Sequence, residues 1–218
     1  YLFCANDPVN NTDPTGMDYY GVDDMGYFSL ISINDDPNDR IYKLDSNCKP
    51  INDNFIDVDK DFMGSLFGDN ITMDSEIYGF IPTQIDINSV SDSTDGIFEF
   101  LINNTEVEWA QINTINDDGS QKNYIGTCHN PNSDSTIKYV NSVLVNDNSV
   151  ITDANHSHPG GSSVVSPGDV AVAKTIQSRF PNARMAIFIP FNFANPTYFD
   201  KSTPSGVLQE VEIIGIKK

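Results

Sequence analysis

The stretch ITDANHSHPGGSSVVSPGDVAVAKTIQSRF, residues 151–180, constrains the fold of this chain more than any other. Its first part continues the strand SVITDANHSHP, which Pro159-Gly160-Gly161 ends. Ser166-Pro167-Gly168-Asp169 then opens a helix. Serine is a natural N-cap, and proline at the first helical position has no N–H to lose. Val172, Ala173, Ile176 and Phe180 follow at helical spacing and form the face that must pack on the body of the fold. ARMAIFIP, residues 183–190, is next and reads as a buried strand. The class predicted is α/β.

The same stretch holds two of the three histidines. Residues i and i+2 of a strand point the same way, so His156 and His158 present both imidazoles to one side. Asp169 heads the buried stripe of the helix and is expected to point back towards the end of the preceding strand. Two neutral imidazoles plus a carboxylate make a zinc set with an open fourth position. The residues alone leave a plainer reading open. Ser-x-x-Asp is also a variant capping box, in which Asp169 only supports the backbone.

Upstream, Ser93 or Thr94 is a plausible N-cap for a helix ending at Asn103-Asn104, with Ile97, Phe98, Leu101 and Ile102 at helical spacing. TEVEWAQINTI then reads as a strand, Val107 and Trp109 on one face and Glu106 and Glu108 on the other. IKYVNSVLV reads as a strand that leads through Asn146-Asp147-Asn148 into SVITDANHSHP, and VLQEVEIIGIKK as a closing strand. A boundary is expected near residue 90. Before it, GYFSLISI and RIYKLD flank Asn34–Asp39, a hairpin signal. Asp57, Asp59 and Asp61 resemble the start of a calcium loop, but Phe62 stands where glycine is needed and no glutamate closes it. That segment reads as a solvated turn. Cys128-His129 reads as a loop, and the aromatics Phe191, Phe193, Tyr198 and Phe199 as tucking a long loop onto the core.

The net charge of −19 argues against a nucleic-acid partner or an anionic membrane surface. No apolar run is long enough to insert in a bilayer. Cys4, Cys48 and Cys128 form neither a disulfide framework nor a metal spacing. The chain starts at Tyr1, with neither methionine nor visible signal peptide, and reads as a piece of something longer.

Two resemblances sharpen this. Tyr-x-x-Cys-x-Asn-Asp-Pro-Val-Asn followed by Asp-Pro-x-Gly, within residues 1–17, resembles the end of the core of RHS-repeat proteins, secreted shells carrying variable C-terminal toxin domains. In that family the Asp-Pro-x-Gly aspartate, here Asp13, belongs to a self-cleaving pair. His-x-His-Pro and then Ser-x-x-Asp, with residues 159–165 between His158 and Ser166, is similar to the signature of JAMM (MPN, or JAB) metalloproteases. This second resemblance covers roughly residues 93–218 and implies a mixed curved sheet with flanking helices; a small β-rich lead-in over 18–92 is expected before it. It implies that His156, His158 and Asp169 hold Zn²⁺, that a glutamate serves as general base, and that Ser166 donates to the oxyanion. Glu108, flanked by Val107 and Trp109, lies deeper than Glu106 and is preferred as that base.

The expected function is a zinc-dependent peptidase or isopeptidase acting as the C-terminal effector of an RHS-type secreted protein. The alternative is a catalytically inactive MPN-like scaffold. Expected partners are a protein or peptide substrate, a cognate immunity protein and the RHS shell of the parent chain. The parent would be secreted and its cargo would act in a target-cell cytosol, a destination that suits unpaired cysteines.

Overall fold

The computed structural model describes residues 18–33, 39–58, 70–72, 84–90, 94–141 and 149–206. Two sheets organise them. The first contains β1 (Asp18–Val22), β2 (Phe28–Ile33), β3 (Asp39–Leu44) and β4 (Pro50–Val58), in the order β2-β1-β3-β4. The second contains β5 (Asn70–Thr72), β6 (Gln84–Val90), β7 (Trp109–Asn116), β8 (Gln121–Thr127), β9 (Ser149–Ser157), β10 (Arg184–Phe188) and β11 (Thr197–Phe199). Its order is β11-β10-β9-β7-β8-β6-β5. The helices are α1 (Asp95–Asn104), α2 (Thr136–Tyr139) and α3 (Pro167–Arg179).

Strands β9 and β10 run parallel, joined through α3, while β9 pairs antiparallel with β7. A parallel pair needs such a crossover, and its helix must cover a face of the sheet. Val170, Ala173 and Ile176 of α3 accordingly pack on Ala110, Ile112, Ile151, Ala154, Met185 and Ile187. Alternate residues of the same strands serve the other face. Trp109, Ala186 and Phe188 meet Phe98, Leu101 and Ile102 of α1, and Tyr20, Val22, Ile41 and Val58 of the first sheet join that cluster. Each such large side chain contributes roughly 1.5–3 kcal/mol on burial. The lead-in thus shares a core with the larger sheet, and that sheet extends upstream of residue 90 through β5 and β6.

Three local expectations are corrected. The runs flanking Asn34–Asp39 form β2 and β3, yet they do not pair with each other. β1 lies between them, antiparallel to β2 and parallel to β3, so the tight turn falls at Asp23–Tyr27 instead. IKYVNSVLV does not begin as a strand, because Thr136–Tyr139 is helical. Here β-branched composition yields to packing, with Ile137 and Val140 buried in the α3-side core. TEVEW is not yet strand at Glu106 and Glu108, since β7 starts only at Trp109. The RHS-like stretch 1–17, the Asn34–Asn38 loop, Asp59 and Asp61, and the closing strand over 207–218 lie outside the described residues.

Candidate metal centre

His156 sits on the central strand β9, opposite Ala110 of β7 and beside Ile187 of β10. That ladder fixes its backbone from both sides. Strand β9 ends one residue later. The His158 N–H donates to the Phe188 carbonyl (2.9 Å), and Gly161, at φ +75°, donates to the His158 carbonyl (3.0 Å). This is a turn that suits a residue without Cβ. Between the histidines, the Ser157 hydroxyl is fully buried and accepts the Trp109 N–H at 2.9 Å, tying β7 to the His-x-His segment.

The capping box forms, and it leaves the Asp169 carboxylate facing the histidines. Asp169 N–H donates to Ser166 Oγ at 3.1 Å, and Ser166 N–H donates to Asp169 Oδ2 at 2.6 Å, a complete capping box at the start of α3. The carboxylate still faces the strand end. Asp169 Oδ1 lies 3.1 Å from His156 Nε2, and Oδ2 lies 3.8 Å from His158 Nε2. The two histidine Nε2 atoms are 3.1 Å apart. His158 Nδ1 donates to the Ser162 carbonyl at 2.8 Å, which leaves its Nε2 lone pair turned to the group.

The donor set fits a zinc ion. Tetrahedral zinc with bonds of about 2.0–2.1 Å needs donor atoms roughly 3.3 Å apart; here His156 Nε2 lies 3.1 Å from both His158 Nε2 and Asp169 Oδ1, and one ligand atom from each of the three residues lies within 4.8 Å of the others. Ionisation suits the task too. Burial, with the nearby His156, pushes His158 below the ordinary histidine value, towards the neutral ligand form. Burial alone would raise Asp169, but the His156 side chain and the Ser166 N–H and hydroxyl outweigh it and hold the carboxyl low, ionised. Among the described residues this is the one group of three such side chains able to hold a metal.

An open cleft of about 590 Å³ exposes the group, with Glu108, Asp134 and Ser166 also on its wall. Glu108 is buried, and its carboxyl is pushed up to about 8 by burial and by the charges of Asp134 and Asp169. Glu106 is exposed. Ser166 Oγ accepts the Asp169 N–H, and the residue lies on the cleft wall beside the group. Phe199 sets its ring edge-on to His156, 5.9 Å between centroids. Of the aromatic loop, Phe193 packs on Phe98 and Phe188, whereas Phe191 and Tyr198 are exposed.

Glu108 carries a pH signature. A carboxyl raised in the folded state contributes stability fully present below its ordinary value of 4.5 and lost as pH rises through about 8. Metal-free protein is expected to melt at progressively lower temperature from about pH 5 to about pH 9, and Glu108→Gln to flatten much of that slope. Parallel slopes in thermal melts of the two proteins would refute the assignment.

Asp134 escaped the sequence reading. It lies in the loop after β8, its Oδ1 accepts the Thr136 N–H (3.2 Å) and hydroxyl (2.8 Å), and its buried Oδ2 has no partner. Burial raises its carboxyl. Nothing local in Asn-Ser-Asp-Ser separates this aspartate from the many surface ones; only the closure of the loop against Glu108 does.

Residues 86–174, from within β6 to within α3, match the model of the family described as JAB-like toxin 1. The matched span contains Glu108, both histidines, Ser166 and Asp169. It supports a JAB/MPN-like toxin domain. No curated protein and no solved structure matches the chain. Among the described residues no helix is long and apolar enough to cross a membrane.

Proposed function

We propose that this chain is a zinc-dependent peptidase or isopeptidase acting as a toxin effector domain. One observation carries the reading: two imidazoles and a carboxylate converge at 3.1–3.8 Å in the cleft that also holds a buried glutamate. His156, His158 and Asp169 would hold zinc, which when bound lowers the pKa of water and polarises a carbonyl. Glu108 takes the proton of the attacking water and passes it to the leaving amine, base first and acid second. Its raised carboxyl suits a group that must both accept and return a proton near neutral pH. Ser166 donates its hydroxyl hydrogen to the oxyanion, a contribution of a few kcal/mol in comparable sites.

The family match supports the effector role, and the resemblance of residues 1–17 to an RHS core supports a secreted parent. The substrate is a host polypeptide in the target cell, and the producing cell protects itself with an immunity protein. Purified protein is expected to carry about one zinc per chain by elemental analysis and to cleave members of a panel of peptide- and isopeptide-linked proteins. Expression inside a susceptible cell is expected to slow growth, with cleavage of a specific host protein. Protein that takes up no zinc would refute the reading. Zinc without hydrolysis of any substrate would favour the inactive scaffold.

A further inference from the structure

The third histidine has no part in the triad, yet it stands behind the glutamate. His129 follows β8 with a left-handed backbone, φ +53°, an uncommon conformation for a residue with a side chain. Its N–H donates to Thr127 Oγ1 (3.0 Å), and that hydroxyl donates to the Glu108 carbonyl (2.7 Å). One residue further on, the Asn130 carbonyl accepts the Glu108 N–H at 2.9 Å. Both backbone groups of Glu108 are therefore held by the segment that His129 turns.

That segment is held in turn by the lead-in. His129 Nδ1 donates to the Met25 carbonyl at 2.8 Å, and its ring stacks on Tyr27, centroids 3.9 Å apart and planes 10° from parallel. The neighbouring Asp24 carbonyl accepts the Glu106 N–H at 2.7 Å, two residues before Glu108. Gly26, at φ +77°, lies so close that a Cβ would come within 3.0 Å of Trp109 and Val107. The turn itself is stiff, because Asp23 Oδ1 accepts the N–H groups of Met25 and Tyr27, each at 2.9 Å.

We propose that the Asp23–Tyr27 turn and His129 form a clamp that positions Glu108, which makes the β-rich lead-in a working part of the catalytic site. The clamp lies outside the span that matches the toxin family on the lead-in side and acts from behind the cleft. His129 is a positioning residue here, since its described contacts run to Thr127, Met25 and Tyr27 rather than to the reacting groups. The proposal rests on Glu108 being the general base, and a displacement of about 1 Å in such a group costs up to about a hundredfold in rate.

The test uses the full chain carrying His129→Ala, His129→Asn or Ile51→Ser. Asparagine tolerates the left-handed backbone and offers an N–H; Ile51 is an exposed β4 residue far from the turn in sequence and serves as control. His129→Ala is expected to lower kcat on a peptide substrate at least about tenfold, with KM within about twofold and zinc content unchanged. Its Glu106 and Glu108 amides should exchange with solvent faster by NMR, while His129→Asn and Ile51→Ser stay near wild type in every readout. Unchanged amide exchange in His129→Ala, an equal effect of Ile51→Ser, or loss of zinc would overturn the clamp. If the wild type hydrolyses nothing, the peptidase reading fails, and amide exchange alone decides whether the clamp holds Glu108.

Discussion

Glu108→Gln protein will keep its zinc and lose hydrolysis by about 10²- to 10⁴-fold, the range a positioned general acid–base contributes. The amide fills the space of the carboxyl but cannot accept the proton of the attacking water. Nothing in the triad is touched, because Glu108 is absent from the His156, His158 and Asp169 group. The fold should also tolerate the change, since burial and the Asp134 and Asp169 charges already favour the uncharged form of this side chain. Kinetics on peptide substrate, with elemental analysis on the same sample, will check it. The companion Glu106→Gln should be close to wild type, because Glu106 is exposed and its described contact is a backbone one, to the Asp24 carbonyl. Full turnover in Glu108→Gln with a dead Glu106→Gln would reverse the assignment.

Replacing both histidines by alanine is the other large effect expected. His156→Ala/His158→Ala leaves Asp169 as the sole ligand of the group, and one carboxylate does not retain a structural or catalytic zinc against solvent. The variant should bind no zinc at stoichiometric level, cleave nothing and relieve any growth defect. It should still fold. His156 is flanked by ladders to β7 and β10 made by backbone atoms, and the α3 cap is formed by Ser166 and Asp169 alone. Truncating a buried imidazole leaves a cavity, so a lower melting temperature is expected with secondary structure kept. Stoichiometric zinc in the double variant would sink the site.

The contrast between what could be read from residue order and what could not follows the reach of each interaction. The strand–turn–helix–strand run over residues 149–188 is legible because each boundary carries its own local chemistry: Pro159-Gly160-Gly161, the Ser166 cap and Pro167 at the first helical position. The juxtaposition of Asp169 with the histidines follows from helical and strand periods acting over a short connection. The β1–β3 pairing does not, since a parallel pair skipping β2 is selected by the shared core of Tyr20, Ile41 and Phe98, residues far apart in sequence. Strand β8 escaped for a related reason. Its run QKNYIGT has only Tyr124 and Ile125 as large apolar residues, too few to mark a strand period, and the ladder to β7 is what makes it a strand. Glu108 could be preferred to Glu106 from its apolar neighbours, but Asp134 and His129 acquire their roles only when the loop after β8 closes on the lead-in.

The capping box also bears on the order of assembly. Asp169 is held by the Ser166 N–H, His158 by the Ser162 carbonyl and His156 by two strand ladders, all bonds the chain makes with itself. A metal ion bound here would therefore meet donors already held in place, unlike zinc modules whose ligands gather only around the ion. A site built this way is complete before any ion arrives, so folding and metal loading would be separable in time.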